Sequence, residues 1–117
     1  MAKIREKSSR RSAPRLNKAR LDELIEEAIV DCYNEDEQLM GLFTMIEDNL
    51  VLPFETEVLG VTVTVERIDL NEANEILAIC RHGRERQAIP VLNLPLPSPP
   101  PDGWEWIEAY RYWCRPR

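Results

Sequence analysis

Between Asp22 and Glu66 the sequence contains neither lysine nor arginine, a gap of 45 residues. Histidine occurs once, glycine four times and cysteine three times. One histidine, with no CxxC pair, leaves a zinc or iron–sulfur site short of ligands. Cys32, Cys80 and Cys114 are odd in number and far apart, which reads as reduced, buried thiols. So few glycines leave little for phosphate cradles, and the GxSxG, Walker, GxGxxG and HExxH patterns are all missing. His82 beside Gly83 reads as a turn residue. Glu47 and Asp48 are adjacent, so a helix points them about 100° apart, a poor arrangement for an acid–base pair. No apolar run approaches the ~20 residues that cross a bilayer. The basic start "MAKIREKSSRRSAPR" lacks the apolar stretch of a secretory signal. The expectation is a cytoplasmic protein that is not an enzyme.

What is present is enough for one domain: 117 residues, 44% of them hydrophobic. The net charge of −6 conceals a division. Residues 1–20 hold eight Lys/Arg against one Glu, and residues 21–117 hold seven Arg against twenty Asp/Glu, so +7 stands against −13. A body this acidic repels itself and attracts cations. Nucleic acid is not its expected partner, although the leader could touch phosphates weakly. The expected division is a flexible basic leader over 1–16, a folded domain over 17–96, and a proline-rich linker with an aromatic tail over 97–117.

Leu21, Leu24, Ile25, Ala28, Ile29 and Cys32 make one helical stripe, and Leu39, Leu42, Phe43, Ile46 and Leu50 a second. Asn34, with Glu37 three residues on, looks like a capping box, so a break or bend is expected there; one long bent helix is the alternative. Pro53 ends the helical part. "VTVTVERIDL" then alternates with period 2, "EILAICRH" and "RERQAIPV" read as further strands, and "NEANE" as a polar turn. Six of the nine prolines fall in 90–101, an extended polyproline strap. The tail holds all three tryptophans and reads as a short helix docking its aromatics. The expected fold is α+β: one or two N-terminal helices packed on a small SH3-like antiparallel β-barrel, with a C-terminal aromatic helix.

Two acidic groups flank the second helix. Asp31, Asn34, Glu35, Asp36 and Glu37 precede or open it, and Glu47, Asp48 and Asn49 close it. On a continuous helix Asp31 and Glu35 would face the same way and repel. At the other end the helix dipole disfavours Glu47 and Asp48. A hard cation such as calcium, which takes six to eight oxygens, would relieve both conflicts. The competing reading is that these acids are ordinary caps and solvated side chains. "DLNEANE" resembles an EF-hand loop only faintly, because Ala73, Asn74 and Cys80 stand where a ligand, the glycine and the bidentate Glu belong.

The segment also carries a resemblance. Asp31, Tyr33, Glu35, Glu37, Gln38 and Gly41, followed by Ile46 to Leu50 and Pro53-Phe54, resemble the small non-EF-hand calcium-binding family first known from cyanobacteria. The likeness covers roughly residues 25–96 and extends to "RHGRERQAIPVLNL". It departs after Gly41, where Leu42, Thr44 and Met45 stand in place of aromatics. The resemblance implies a bacterial calcium buffer with an SH3-like barrel, calcium as its ligand, and Asp31, Glu35, Glu37, Glu47 and Asp48 as its metal ligands. The alternative is a protein-interaction module that works through the barrel, the proline strap or the leader, its acids only solubilising.

Overall fold

A computed structural model describes residues 16–115. The basic leader expected over 1–16 lies, but for Leu16, outside the described residues. Helix α1 spans Lys18–Ala28 and α2 spans Glu35–Asn49. Strands β1 (Phe54–Val58), β2 (Val61–Leu70), β3 (Ile76–His82) and β4 (Glu85–Pro90) follow, then a 3-10 turn at Val91–Asn93 and helix α3 at Trp104–Trp113.

The break between the first two helices falls where the cap predicts it. Asn34 Oδ1 accepts from the Glu37 N–H at 2.9 Å, and Glu37 Oε1 accepts from the Tyr33 N–H at 2.7 Å. Asn34 thereby satisfies a backbone donor that the start of α2 leaves without a helical partner, and Glu37 reaches back one residue beyond the cap to hold the chain entering it. One consequence corrects the sequence reading of Asp31. It lies outside both helices in a left-handed turn (φ 66°), so it shares no helix face with Glu35.

The four strands form an antiparallel meander in linear order, with β1 and β4 at the edges. This is the α+β fold expected, with a helix pair and a third helix beside the sheet. Period-2 alternation holds through Val63 and Val65, both buried. It then breaks. A register shift between Val65 and Arg67 inserts an extra residue, so Ile68 is buried where strict alternation would bury Arg67. Leu59 and Gly60 turn β1 into β2 with positive φ at both positions, as a two-residue hairpin loop requires. "NEANE" is the polar turn expected, closed by the Asn71 side chain accepting from the Glu75 N–H.

The core lies where the helices meet the sheet. Leu42, Ile46, Val65, Ala78, Val91 and Ile107 are completely buried. Each large side chain removed from water in this way contributes about 1.5–3 kcal/mol. The proline-rich segment is a strap, though not polyproline throughout, since Val91–Asn93 turn as a 3-10 helix. Thr56 Oγ1 donates to the Pro95 carbonyl at 2.6 Å, and Arg111 donates to the carbonyls of Val91 and Leu94. The strap is thus tied to β1 on one side and to α3 on the other.

The tail forms the docked aromatic helix, with Trp106, Ile107, Ala109 and Tyr110 buried. Burial, aided by the neighbouring Cys114, pushes the Tyr110 phenol up to about 12. An unfolded tyrosine ionises near pH 10. Between those values the unfolded chain releases a proton that the folded chain keeps, so stability falls as pH rises through the window. The loss should approach about 3 kcal/mol at its upper end. Denaturant melts at successive pH values, with and without Tyr110→Phe, check this: the variant should show a shallower decline. Burial also raises the Cys80 and Cys114 thiols, in keeping with three free cysteines.

Candidate metal centre

The carboxylates singled out by the sequence divide between the two ends of α2. Glu35 and Glu37 stand in its first turn, with Asp31 in the turn before, whereas Glu47 and Asp48 stand in its last turn. Ten residues of helix separate Glu37 from Glu47, about 15 Å along the axis at 1.5 Å per residue. No single ion spans that distance, so the five residues belong to two places.

All five are exposed. Ten acids lie from Glu26 to Glu57, and none forms an ion pair among the described residues. Four of the body's arginines are engaged elsewhere. Arg81 and Arg86 both hold Glu66, at 2.6 and 2.8 Å, and together they keep its carboxyl below the usual range. Arg67 pairs with Asp69, and Arg111 with Glu108. Among the described residues the negative charge around α2 thus has no ion-pair partner, in contrast to Glu66 and Asp69 on β2.

At the first end, Glu37 has one oxygen committed to the Tyr33 N–H. Glu35 borders a recess that also includes Trp113, Cys114 and Arg115. Trp113 Nε1 donates to Gln38 Oε1 at 3.1 Å, which ties the end of α3 to the first turn of α2. Arg115 lies 5.6 Å from the Tyr112 ring centroid. At the second end, Asn49 Nδ2 caps the Met45 carbonyl at 2.8 Å, and the last turn of α2 has no basic residue. The carbonyls there carry the negative end of the helix dipole. The Val51 N–H donates to the Asp102 carbonyl at 2.9 Å, bringing the backbone of a further acid to this end. Sequence reasoning missed Asp102, because the whole sheet and the proline-rich run separate it from α2 and only the docking of α3 reunites them.

Among the described residues no three His, Cys, Asp or Glu side chains gather into a ready-made metal cage. The donor types nevertheless fit one kind of ion. Carboxylates, amide oxygens and backbone carbonyls are hard ligands suited to calcium or magnesium, and the only imidazole, that of His82, lies away at the sheet, beside the Thr62 carbonyl. Calcium tolerates irregular geometry and completes its shell with water, which suits exposed side chains better than magnesium's strict octahedron does.

Comparison with known proteins agrees in kind. A protein-family model described as calcium binding, CcbP, matches residues 22–114. No curated protein sequence matches the chain. Among solved structures, the crystal structure of Anabaena CcbP is similar at 20% identity and a TM-score of 0.68, covering 86% of this chain and 94% of that one. A calcium-binding protein in its calcium-binding form is similar at 19% identity and a TM-score of 0.63, covering 82% and 90%.

Proposed function

The chain belongs to the CcbP calcium-binding family, and on that premise we propose that it binds calcium through the carboxylates at the two ends of α2, without catalysing a reaction. Asp31, Glu35 and Glu37 would hold an ion at the first end. Glu47 and Asp48, with nearby carbonyls, would hold one at the second. The ion supplies positive charge where the described residues supply none; the chain supplies hard oxygens at the two ends of one helix. Its role is to buffer or sequester calcium in the cytoplasm. No described helix is long and apolar enough to cross a membrane.

One observation carries this reading: ten successive acids without an ion-pair partner among the described residues, on a body four of whose arginines are paired with other acids. A ligand that binds only the folded state adds ~2.7 kcal/mol of stability at a hundredfold excess over its dissociation constant. Millimolar calcium should therefore raise the melting temperature well above the shift given by sodium chloride at matched ionic strength. Equal shifts would leave only screening, and the proposal would fall. Magnesium should give the smaller rise.

The proline segment is less suited to the rival reading of an interaction motif. Leu94 is buried and the Pro95 carbonyl is bonded to Thr56, so the strap already has an internal partner.

A further inference from the structure

A shallow groove runs between the end of α1 and the first half of α2. Its walls include Val30, Met40 and Met45, and its floor is Gly41, where the two helices come closest. Val30 is 66% exposed and Met40 49%. Glu27, Asp36 and Glu37 border the groove, and none of them forms an ion pair among the described residues. Methionine side chains are flexible and polarizable, so a methionine-lined surface repacks around partners of different shape. A shallow apolar groove beside a helix suits an amphipathic segment laid across it.

The acidic border decides the charge of the occupant. Anionic lipid and nucleic acid would be repelled. A second copy docking by the same face would place Glu27, Asp36 and Glu37 against their own counterparts, a like-charge contact that costs free energy. Arg67, Arg81, Arg86 and Arg111 of another copy are committed to their own acids, and Arg84 stands at the tip of the β3–β4 turn, on no helix with an apolar face to lay in the groove. We infer that this groove docks a basic peptide segment of a partner protein, with one or two long apolar side chains on Met40 and Met45 and its Lys or Arg beside Glu27 and Asp36. The acids steer the encounter, and the methionines hold the bound segment.

The full-length chain, in chelator so that calcium plays no part, is titrated with a short labelled peptide carrying Leu and Lys at helical spacing. A second peptide has every Leu replaced by Gln. The groove predicts binding of the first and a loss of about tenfold or more for the second, because charge attraction alone is weak and screened. Met40→Glu, at a half-exposed position, should weaken the first peptide by a similar factor, whereas Val61→Glu, on the sheet, should not. Equal binding of both peptides, or indifference to Met40→Glu, would overturn the assignment. Two other outcomes would also overturn it. If Arg10, Arg11 and Arg15→Gln together made peptide binding at least about tenfold tighter, the groove would belong to the chain's own leader. If sedimentation showed a dimer that Met40→Glu dissolves, it would belong to a second copy.

Discussion

Replacing Gly103 with alanine should lower the stability of the fold by about 3 kcal/mol, the sum of two separate costs. Gly103 precedes α3 with φ 88°, a left-handed conformation that costs an L-residue about 1–2 kcal/mol. A Cβ there would also overlap the backbone of Asn49 and Leu50, and overpacking adds about 1–3 kcal/mol because neither neighbour is a flexible side chain. In a domain of this size the melting temperature should fall by roughly 10 °C or more. Gly60 is the control. It too has positive φ, but open space surrounds its Cβ position, so Gly60→Ala should show the conformational cost alone, about 1–2 kcal/mol. Thermal melts of the two variants decide it; equal losses would mean that close contact with α2 contributes nothing. The contact bears on the proposed metal site as well, because Gly103 lies against the end of the helix that carries Glu47 and Asp48.

The second large effect concerns those carboxylates. A variant with Asp31→Asn, Glu35→Gln and Glu37→Gln should lose the calcium response of one end of α2, and Glu47→Gln with Asp48→Asn that of the other. About 15 Å apart, the two ends should act independently, so the five-fold variant should lose the sum. Against a wild-type gain of ~2.7 kcal/mol for one site at a hundredfold excess, it should show none. Without calcium the two ends differ. Glu47→Gln with Asp48→Asn should leave the chain as stable as the wild type or more so, because it relieves the conflict with the helix dipole, whereas Glu35→Gln and Glu37→Gln give up favourable dipole contacts in the first turn of α2 and should cost about 0.3–1 kcal/mol each. Glu37→Gln keeps the capping bond, since glutamine also accepts from a backbone N–H. Calorimetric titration in calcium and melts in chelator separate the two effects. A five-fold variant that binds calcium like the wild type would move the site elsewhere.

Features legible in the sequence were those set by neighbours along the chain. Asn34 and Glu37 announced the start of α2 because a capping box is local, and Leu39, Leu42 and Ile46 announced its buried face. Strands followed from Val63 and Val65, and the aromatic helix from the crowding of Trp106, Ile107 and Tyr110. Less visible was anything set by distant backbone. Nothing near Val65 signals the bulge that turns Ile68 inward. Trp113 and Gln38 stand 75 positions apart, and Asp102 reaches the end of α2 only through the docking of α3. Sequence also left open whether the candidate ligands share an ion. Helix length divides the candidates into two groups, since fifteen residues of α2 hold them at opposite ends. Gly41 is an intermediate case. It was visible as the end of a motif, but its reason, the Ala28 carbonyl occupying the place of a Cβ, lies in the crossing of two helices.

The most direct measurement is of the carboxyl carbons themselves, by nuclear magnetic resonance during a calcium titration of the full-length chain. The account predicts that the signals of Asp31, Glu35, Glu37, Glu47 and Asp48 move in saturable fashion while that of Glu66, held by two arginines, stays put. Saturable movement confined to other acids, or a uniform drift that sodium chloride reproduces, would contradict it.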